Sequence, residues 1–587
     1  MIKGKKTIGL AAGLLAILIT LGCAGRPDQS ESGMGASALS STMDSTALPA
    51  ESSDETTQSG LLSADSSTGT AVSSRTSAAL SSQPKQSGKE TSSKMISSKQ
   101  TQKVGYYLDA VNGDDQNDGK SQAKPWKTLE KLNQAKLNPG DTIYLKSGSV
   151  FNGQFKPASS GVKGKPIVMT SYGGSKKPVI AGGGVQPAAV YLYNVEYWEI
   201  SNIEITNYHK TVNLRSGIMV ENDIGKLSHI YLRNLEVHQV NGENVDSNWG
   251  YDRTNGGIIF YMKGYGEPAY MDDVLIEGNN VYEVDRSGIF FYSSWCNRNS
   301  ISEGYGRWKG STNVVVRNNK LNDIGGDGIV LAVVDGGLIE HNVATYCNTR
   351  SGKNNGAIWC GNSDNTIIQY NEAAYTQLKE GDGMGFDIDF GGENNILQYN
   401  YSHDNEGGFL LVTSVGNIIN KNAIVRYNIS QNDKSRIFRV VGKKTTNCQI
   451  YNNVVYLGKS MTSRIVETTS SYEGDLGEAY FYNNIIINHG QGGYAFNEGA
   501  HFSNNCFYAT QTRRGEPNDP YKITADPKLA NPGSGKSGIA SLSGYQLTAG
   551  SPCIGAGKLI SGFSGMDFFG NKLTAGQNTD IGAHQFR

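Results

Sequence analysis

Two aspartates stand two residues apart in Gly385-Phe386-Asp387-Ile388-Asp389-Phe390, alternating with apolar side chains. Successive residues of a strand face opposite sides of its sheet. If Phe386, Ile388 and Phe390 pack inward, Asp387 and Asp389 emerge together on the outer face, their Cα atoms about 6–7 Å apart. Paired carboxyls at such a separation are the equipment of glycoside hydrolysis, and side-chain rotamers reach both the retaining and the inverting spacing. Burial and like-charge repulsion would raise one pKa, dividing two identical side chains into an acid and a base.

Further acids are placed to converge on that pair. Asp382 precedes the same segment, Glu406 precedes the segment Gly408–Val412, and Asp327 leads an earlier one in Asp327-Gly328. Neighbouring strands lie about 4.8 Å apart, so these side chains can share one groove. Asp or Glu ahead of Gly is also ordinary turn chemistry, which is the favoured account of Asp327 and Glu406. The expected catalytic set is Asp387, Asp389, Asp382 and Glu406, centred on the first two. Equivalent outward positions in other segments read Val330 and Ala332, Trp359 and Gly361, and Leu410 and Val412, so Trp359 would lie beside the pair, help to bury it and contact the substrate.

Candidate substrate contacts surround this centre. The phrases Ser435-Arg436-Ile437-Phe438-Arg439 and Ser463-Arg464-Ile465-Val466-Glu467 place Arg439 next to Glu467 in adjacent coils. A surface ion pair is the simpler account. The functional account is that Arg439, with Lys443 or Lys444, meets a substrate carboxylate. Two long loops carry Trp249, Tyr251, Asp252 and Arg253, and Trp295, Glu303, Tyr305, Arg307 and Trp308. Aromatic faces on such loops suit the apolar faces of sugars, or pin the loop to the scaffold.

What must hold these residues is announced by a repeating asparagine. Asn279, Asn319, Asn342, Asn371, Asn400, Asn428, Asn453, Asn484 and Asn505 each follow an apolar residue by three positions, and the central steps are 29, 29 and 28 residues. Such a period signals a solenoid. The runs between asparagines are strand-length, as in Gly288-Ile-Phe-Phe-Tyr and Gly408-Phe-Leu-Leu-Val. Asn tolerates the left-handed backbone of a tight corner, and identical amides can hydrogen-bond from coil to coil, so these residues are structural. Trp126, Leu129 and Leu132 have helical spacing and predict a helix covering the first coil, whose edge would otherwise stay open.

The chain of 587 residues has net charge −1 and 18% charged residues, which argues against nucleic-acid binding. Its start, Met1-Ile-Lys-Gly-Lys-Lys followed by an apolar run from Thr7 to Leu21 and Gly22-Cys23, reads as a secretory signal. Residues 24–103 are Ser- and Thr-rich and bury too little to fold. The predicted organisation is a signal over 1–23, a disordered linker over 24–103, a cap and first coils over 104–190, β-helix repeats over 191–510 and a C-terminal cap region over 511–587. Cys296, Cys347, Cys360, Cys448, Cys506 and Cys553 show no metal-ligand spacing and read as buried small hydrophobes.

The opening Tyr106-Tyr-Leu-Asp-Ala, the asparagine-marked coils and the closing Tyr545-Gln-Leu, Ser551-Pro-Cys-Ile and Asp580-Ile-Gly-Ala resemble secreted proteins of the right-handed parallel β-helix, pectate-lyase-like superfamily. The resemblance spans Val104 to Arg587 and implies an all-β solenoid with an N-terminal capping helix. Gly22-Cys23 is similar to bacterial lipoprotein signals, which implies lipidation at Cys23 and a membrane anchor on the outer face of the cell. Resemblance to β-helix xylosidases makes Asp387 the nucleophile, while no acid stands near Leu410 to Val412 where that pattern has its partner Glu. Gly385-Phe386-Asp387 followed by His403-Asp404-Asn405 resembles the Tyr-Gly-Phe-Asp-Pro-His motif of mannuronan epimerases, with Met384 in place of Tyr and Ile388-Asp389 in place of Pro-His.

Three functions are thereby weighed. A polysaccharide-active glycoside hydrolase needing no cofactor leads. A lyase or C5-epimerase acting on uronates follows, with calcium on Asp382, Asp387 and Asp389 and a base at Arg439 or Lys443. A non-catalytic glycan-binding surface protein, in which the outward acids are dispensable, comes third. A capped solenoid needs no partner chain, so a monomer is expected.

Overall fold

A computed structural model describes residues 105–587 except 245–253, 265, 353, 512–513, 561–562, 564, 574–575 and 577–578. The signal, Cys23, the linker, Trp249, Tyr251, Asp252 and Arg253 lie outside the described residues.

Each turn of the chain adds one short strand to each of three parallel sheets. One turn supplies Leu338–Glu340, Val343–Thr345 and Ile358–Gly361; the next supplies Ile367–Gln369, Glu372–Ala374 and Met384–Ile388. The first sheet has 15 strands, from Gly105–Leu108 to Ala500–Ser503, the second 13 and the third 11. Parallel neighbours require crossover connections, and here the other two sheets are the crossover, the right-handed winding being the hand such connections overwhelmingly adopt. Inward residues such as Ile358, Phe386, Leu410 and Phe438 form one continuous buried column, which is the core.

The nine asparagines line up inside this coil. Asn371 Nδ2–H donates to Asn400 Oδ1 (3.0 Å) and to Ile339 O (2.9 Å), while its own Oδ1 accepts from the backbone N–H (2.9 Å) and Nδ2–H (3.0 Å) of Asn342. The same pattern runs from Asn279 to Asn505, and Asp519 ends it by accepting from Asn505 N–H and Nδ2–H. One expectation needs adjusting. The left-handed residue at the corner is the one before each ladder asparagine: Asn318, His341, Tyr370, Tyr399 and Tyr427 all have φ between 51° and 57°. The ladder asparagine occupies its corner for its hydrogen bonds, and those bonds hold bulky residues in αL against their preference.

The predicted cap helix is present and short, Leu129–Asn133, with Thr128 Oγ1 accepting from Lys131 N–H (3.1 Å) at its start. Its buried Leu129 and Leu132 close the end of the core, each contributing about 2 kcal/mol by leaving water. The C-terminal region does more than cap the last coil. It runs back along the outside, where Leu529, Leu542, Tyr545, Phe568 and Ile581 pack on Tyr401, Tyr427, Ile429 and Tyr482. Gly538 N–H reaches Glu372 Oε2 (2.9 Å), and Asn452 Nδ2–H reaches the carbonyls of Asp580 and Gly582 (2.8 and 2.7 Å).

Candidate active site

Register on the third sheet decides which side chains emerge together. Tyr191, Met219, Ile259, Phe290, Val330, Trp359, Asp387, Leu411, Arg439 and Glu467 occupy equivalent outward positions on successive strands. Asp387 therefore sits between Trp359 and Leu411. The outward residue of Gly408–Thr413 is Leu411; Leu410 and Val412, expected to face out, pair with Phe386 and Ile388 and point into the core. Gly408 lies opposite Met384 and not opposite Gly385, so the outward residue falls one position later than matching glycine to glycine predicts.

The strand carrying the acids is Met384–Ile388, so Asp389 stands just beyond its end. A Cβ on Gly361 would lie 3.4 Å from Asp389 Cβ, which puts Asp389 on the same outer face as Asp387, one step along. Phe390 does not continue the alternation inward. It leaves the sheet and packs with Cys296, Ile301 and Val333 beneath the 294–310 loop.

Asp387 is 6% exposed, and its Oδ1 has no hydrogen-bond partner within the protein. Burial first, then the charges of Asp389 and Asp382, push its pKa well above the usual carboxylate range, with Arg439 opposing. Asp382, in the 379–382 turn, is half-buried and accepts from Gly383 N–H (2.8 Å). Protein crowds its carboxyl, and desolvation raises its pKa against the pull of the Gly383 N–H, Arg439 and Arg436. Asp389 is likewise half-buried, with Oδ1 accepting from Phe390 N–H (2.8 Å). Three carboxyls thus crowd one patch, the middle residue buried and the flanking two partly exposed.

Arg439 is close to these acids but fully engaged. Its Nε donates to Glu467 Oε1 (3.3 Å), and its two terminal nitrogens grip Glu473 at 2.7 and 2.9 Å. Glu467 also pairs with Arg436 (3.6 Å) and Arg464. Beside this network lies an open cleft of about 440 Å³ lined by Leu378, Gly381, Ser435, Arg436, Arg464 and Glu467. Arg436 donates to Gly381 O, while its buried Nε has no partner within the protein. The sequence pointed to Arg439 here and passed over Arg436. The repeated Ser-Arg-Ile phrase held the signal, since Arg436 and Arg464 are paired in register.

Other expected site residues lie elsewhere or do other work. Glu406 is partly exposed and accepts from Leu378 N–H (3.1 Å) beside Lys434 (3.6 Å), at the rim and not among the three aspartates. Lys443 is exposed in the turn after Arg436–Val441. Trp295 is 6% exposed within the main core, with Gly306 pressed against its ring, so it pins its loop and offers no face to a sugar. Trp308 is half-buried, donates to Asn362 O (2.8 Å) and lies under the Arg298 guanidinium (4.0 Å), which itself grips Asp364. Trp359 is 3% exposed and donates from Nε1 to Asp327 Oδ1 (2.8 Å), forming part of the floor. Asp327 is no surface turn residue: it is wholly buried 3.7 Å from the equally buried Arg286. His403 is on the second sheet, bound to Glu372 (3.0 Å) and Asp404 (2.8 Å), where those partners raise its pKa to about 9 despite burial. It stands on a different sheet from Asp387.

Among the described residues, no group of three or more His, Cys, Asp or Glu side chains is arranged to hold a metal ion. The calcium set of Asp382, Asp387 and Asp389 is accordingly not carried by the geometry. Arginine, not a cation site, is what the patch offers against its negative charge.

No protein-family model matches the chain. A lacto-N-biosidase of Bifidobacterium longum subsp. longum is 29% identical, the match covering 81% of this chain and 36% of that protein. The chain thus spans about a third of that relative's length. Among solved structures, the GH136 lacto-N-biosidase from Eubacterium ramulus is similar in both its native and selenomethionine forms, at 25% identity and a TM-score of 0.54, covering 68% of this chain and 67% of that one. Three parallel sheets wound by single short strands, together with the likeness to these enzymes, define the fold: the chain is a right-handed parallel β-helix of the pectate-lyase-like type.

Proposed function

We propose that the chain is a glycoside hydrolase acting on an uncharged glycan, with Asp389 and Asp382 as the reacting carboxyls and Asp387 between them. The observation that carries this reading is the crowding of three carboxyls on one outward patch beside an open cleft. The likeness to lacto-N-biosidases supports it. A group that exchanges a proton or bond with substrate must be reachable, and Asp382 and Asp389 keep open surface while Asp387 is covered. The raised pKa of Asp382 suits the general acid that protonates the departing oxygen. Asp389 is then the base or nucleophile. Asp387, biased toward its neutral form, keeps a second full negative charge away from Asp389.

Charge balance supports an uncharged substrate. Around the cleft Arg436, Arg439 and Arg464 face Glu467 and Glu473, and the Arg439 fork is closed by Glu473. A uronate would bring its carboxylate next to three aspartates without a free guanidinium fork to meet it, which disfavours the lyase and epimerase readings. The test is to incubate residues 104–587 with a panel of neutral and uronate-containing glycans and follow reducing ends and the absorbance of unsaturated uronates. Reducing ends from a neutral glycan, lost in Asp389→Asn, are the expected result. Unsaturated products, or binding without cleavage, would sink it.

The same proposal places the protein outside the cell, lipid-anchored at Cys23 and held off the membrane by residues 24–103, acting as a monomer on its glycan. Fatty-acid labelling abolished by Cys23→Ser, and a monomer mass in solution, are the expected outcomes.

A further inference from the structure

A buried ion pair is expensive: each charge gives up several kcal/mol of hydration that its partner only partly restores. Arg286 and Asp327 are both fully buried, one coil apart, at the start of two successive strands of the third sheet. Arg286 also donates to Asn355 Oδ1 (2.7 Å), and Asn355 is held in turn by Asn348 (3.0 Å) and Ser351 (3.0 Å). Gly326 makes the room, since a Cβ there would lie 2.0 Å from the Arg286 guanidinium. The assembly ends on Asp327 Oδ1, which accepts from Gly356 N–H (3.2 Å) and from the Trp359 indole N–H (2.8 Å). Trp359 is the residue directly opposite Asp387 on the next strand. Asp327 therefore touches neither the cleft nor the open acids, yet determines how the indole lies against the buried one.

We propose that Asp327, held by Arg286, is a positioning residue for the aspartate patch: through Trp359 it fixes the wall against which Asp387 is buried, and its carboxyl couples to that of Asp387 behind the indole. Its role in turnover rests on the hydrolase reading above; the coupling to Asp387 does not. The charged groups facing Asp387 are Asp389, Asp382 and Asp327, with Arg439 of opposite sign; those facing Asp382 are Arg439, Arg436, Asp327 and Asp387 itself. Asp327 is common to both sets, and it raises both.

The test separates the two claims. In ¹⁵N-tryptophan-labelled protein without substrate, the Trp359 indole N–H, assigned by its absence in Trp359→Phe, is expected to titrate with pH as the adjoining acids ionise. Asp327→Asn keeps an oxygen acceptor for the indole but removes the charge, and should move that titration to lower pH by about half a unit or more. Where the Arg286 charge so exposed prevents folding, as judged by circular dichroism, the Asp327→Asn, Arg286→Met double variant takes its place. On whichever glycan is cleaved, the alkaline limb of kcat should shift down in parallel with KM within about twofold, because the proton and not the binding site is disturbed. An indole signal indifferent to pH, or an unshifted titration in the variant, overturns the proposal. A shifted indole titration in a protein that cleaves no glycan leaves the coupling standing and removes the hydrolase reading instead.

Discussion

The asparagine column inside the coils and the aspartate patch outside the third sheet both bring short polar side chains together, the first from coil to coil and the second along one strand and the turn before it, and they end in opposite electrostatic states. An amide carries donors and an acceptor, so Asn371 can satisfy Asn342 on one side and be satisfied by Asn400 on the other, indefinitely. A carboxylate only accepts. Asp387 between Asp382 and Asp389 has no donor to offer unless it keeps its proton, and the patch responds by raising its pKa. Crowded polar side chains stabilise this solenoid when they are amides and shift their proton affinity when they are acids.

Breaking the reactive side of that comparison should have the largest effect. Asp389→Asn is expected to lower kcat by about a thousandfold or more, on the order of 4 kcal/mol of transition-state stabilisation, without lowering the urea midpoint, since a like charge is removed. A loss of less than about tenfold, measured on the glycan the panel identifies, would move the reacting role to another residue. The pH dependence follows from the sign of the Asp382 shift. An acid with a raised pKa is protonated below it, so activity is retained at mildly acidic pH and lost as pH rises through that value; Asp382→Asn should abolish this alkaline limb together with most of the turnover.

Breaking the quiet side costs stability and spares chemistry. Asn371→Ala leaves the Asn342 N–H, the Asn342 amide and the Ile339 carbonyl without their buried partner, a penalty of about 3 kcal/mol. The urea midpoint should fall accordingly while kcat at a temperature where the variant is folded stays within about twofold. An unchanged midpoint would mean that water enters and substitutes for the amide.

The ladder and the patch were not equally legible in the sequence. The ladder repeats, and a period of 28–29 residues can arise in few other ways, so the fold and all nine ladder positions were readable from one residue type. The acid patch occurs once. Alternation placed Asp387 and Asp389 on the outer face, but which of the two is covered depends on Trp359, Leu411 and the turn bearing Asp382, which come from three different segments. The same limit explains Leu410 and Val412, because the register that sets Gly408 against Met384 leaves no mark in the hydrophobic pattern. It explains Trp295 as well: an aromatic residue on a long loop looks the same in sequence whether it faces sugar or core. Asp327 was read as a turn residue because Asp-Gly is turn chemistry; its partner Arg286 is 41 residues away by the numbering and adjacent only through the winding of the coil.

The smallest effect concerns an acid that stands in an amide's place inside the coil. Asp433 lies inside the coil at an asparagine-like position, its Oδ1 accepting from Asn405 N–H (3.0 Å) and Nδ2–H (2.9 Å) and its Oδ2 from Ser430 Oγ (2.7 Å). Burial raises its pKa to about 6 against the lowering effect of those hydrogen bonds. Because the folded state binds this proton more tightly than the unfolded chain, its contribution favours folding at pH 4 and is lost as pH rises toward 6. Asp433→Asn preserves the accepting oxygen and presents its amide to the Ser430 hydroxyl, so the pH-dependent loss should disappear. The variant is expected to gain about 1–2 kcal/mol over the parent at pH 7 and nothing at pH 4, read from urea midpoints at the two pH values. Equal midpoints for parent and variant at pH 7 would show that the hydrogen bonds hold the carboxylate as comfortably as the ladder holds its amides, and that burial alone does not make an acid in this fold reactive.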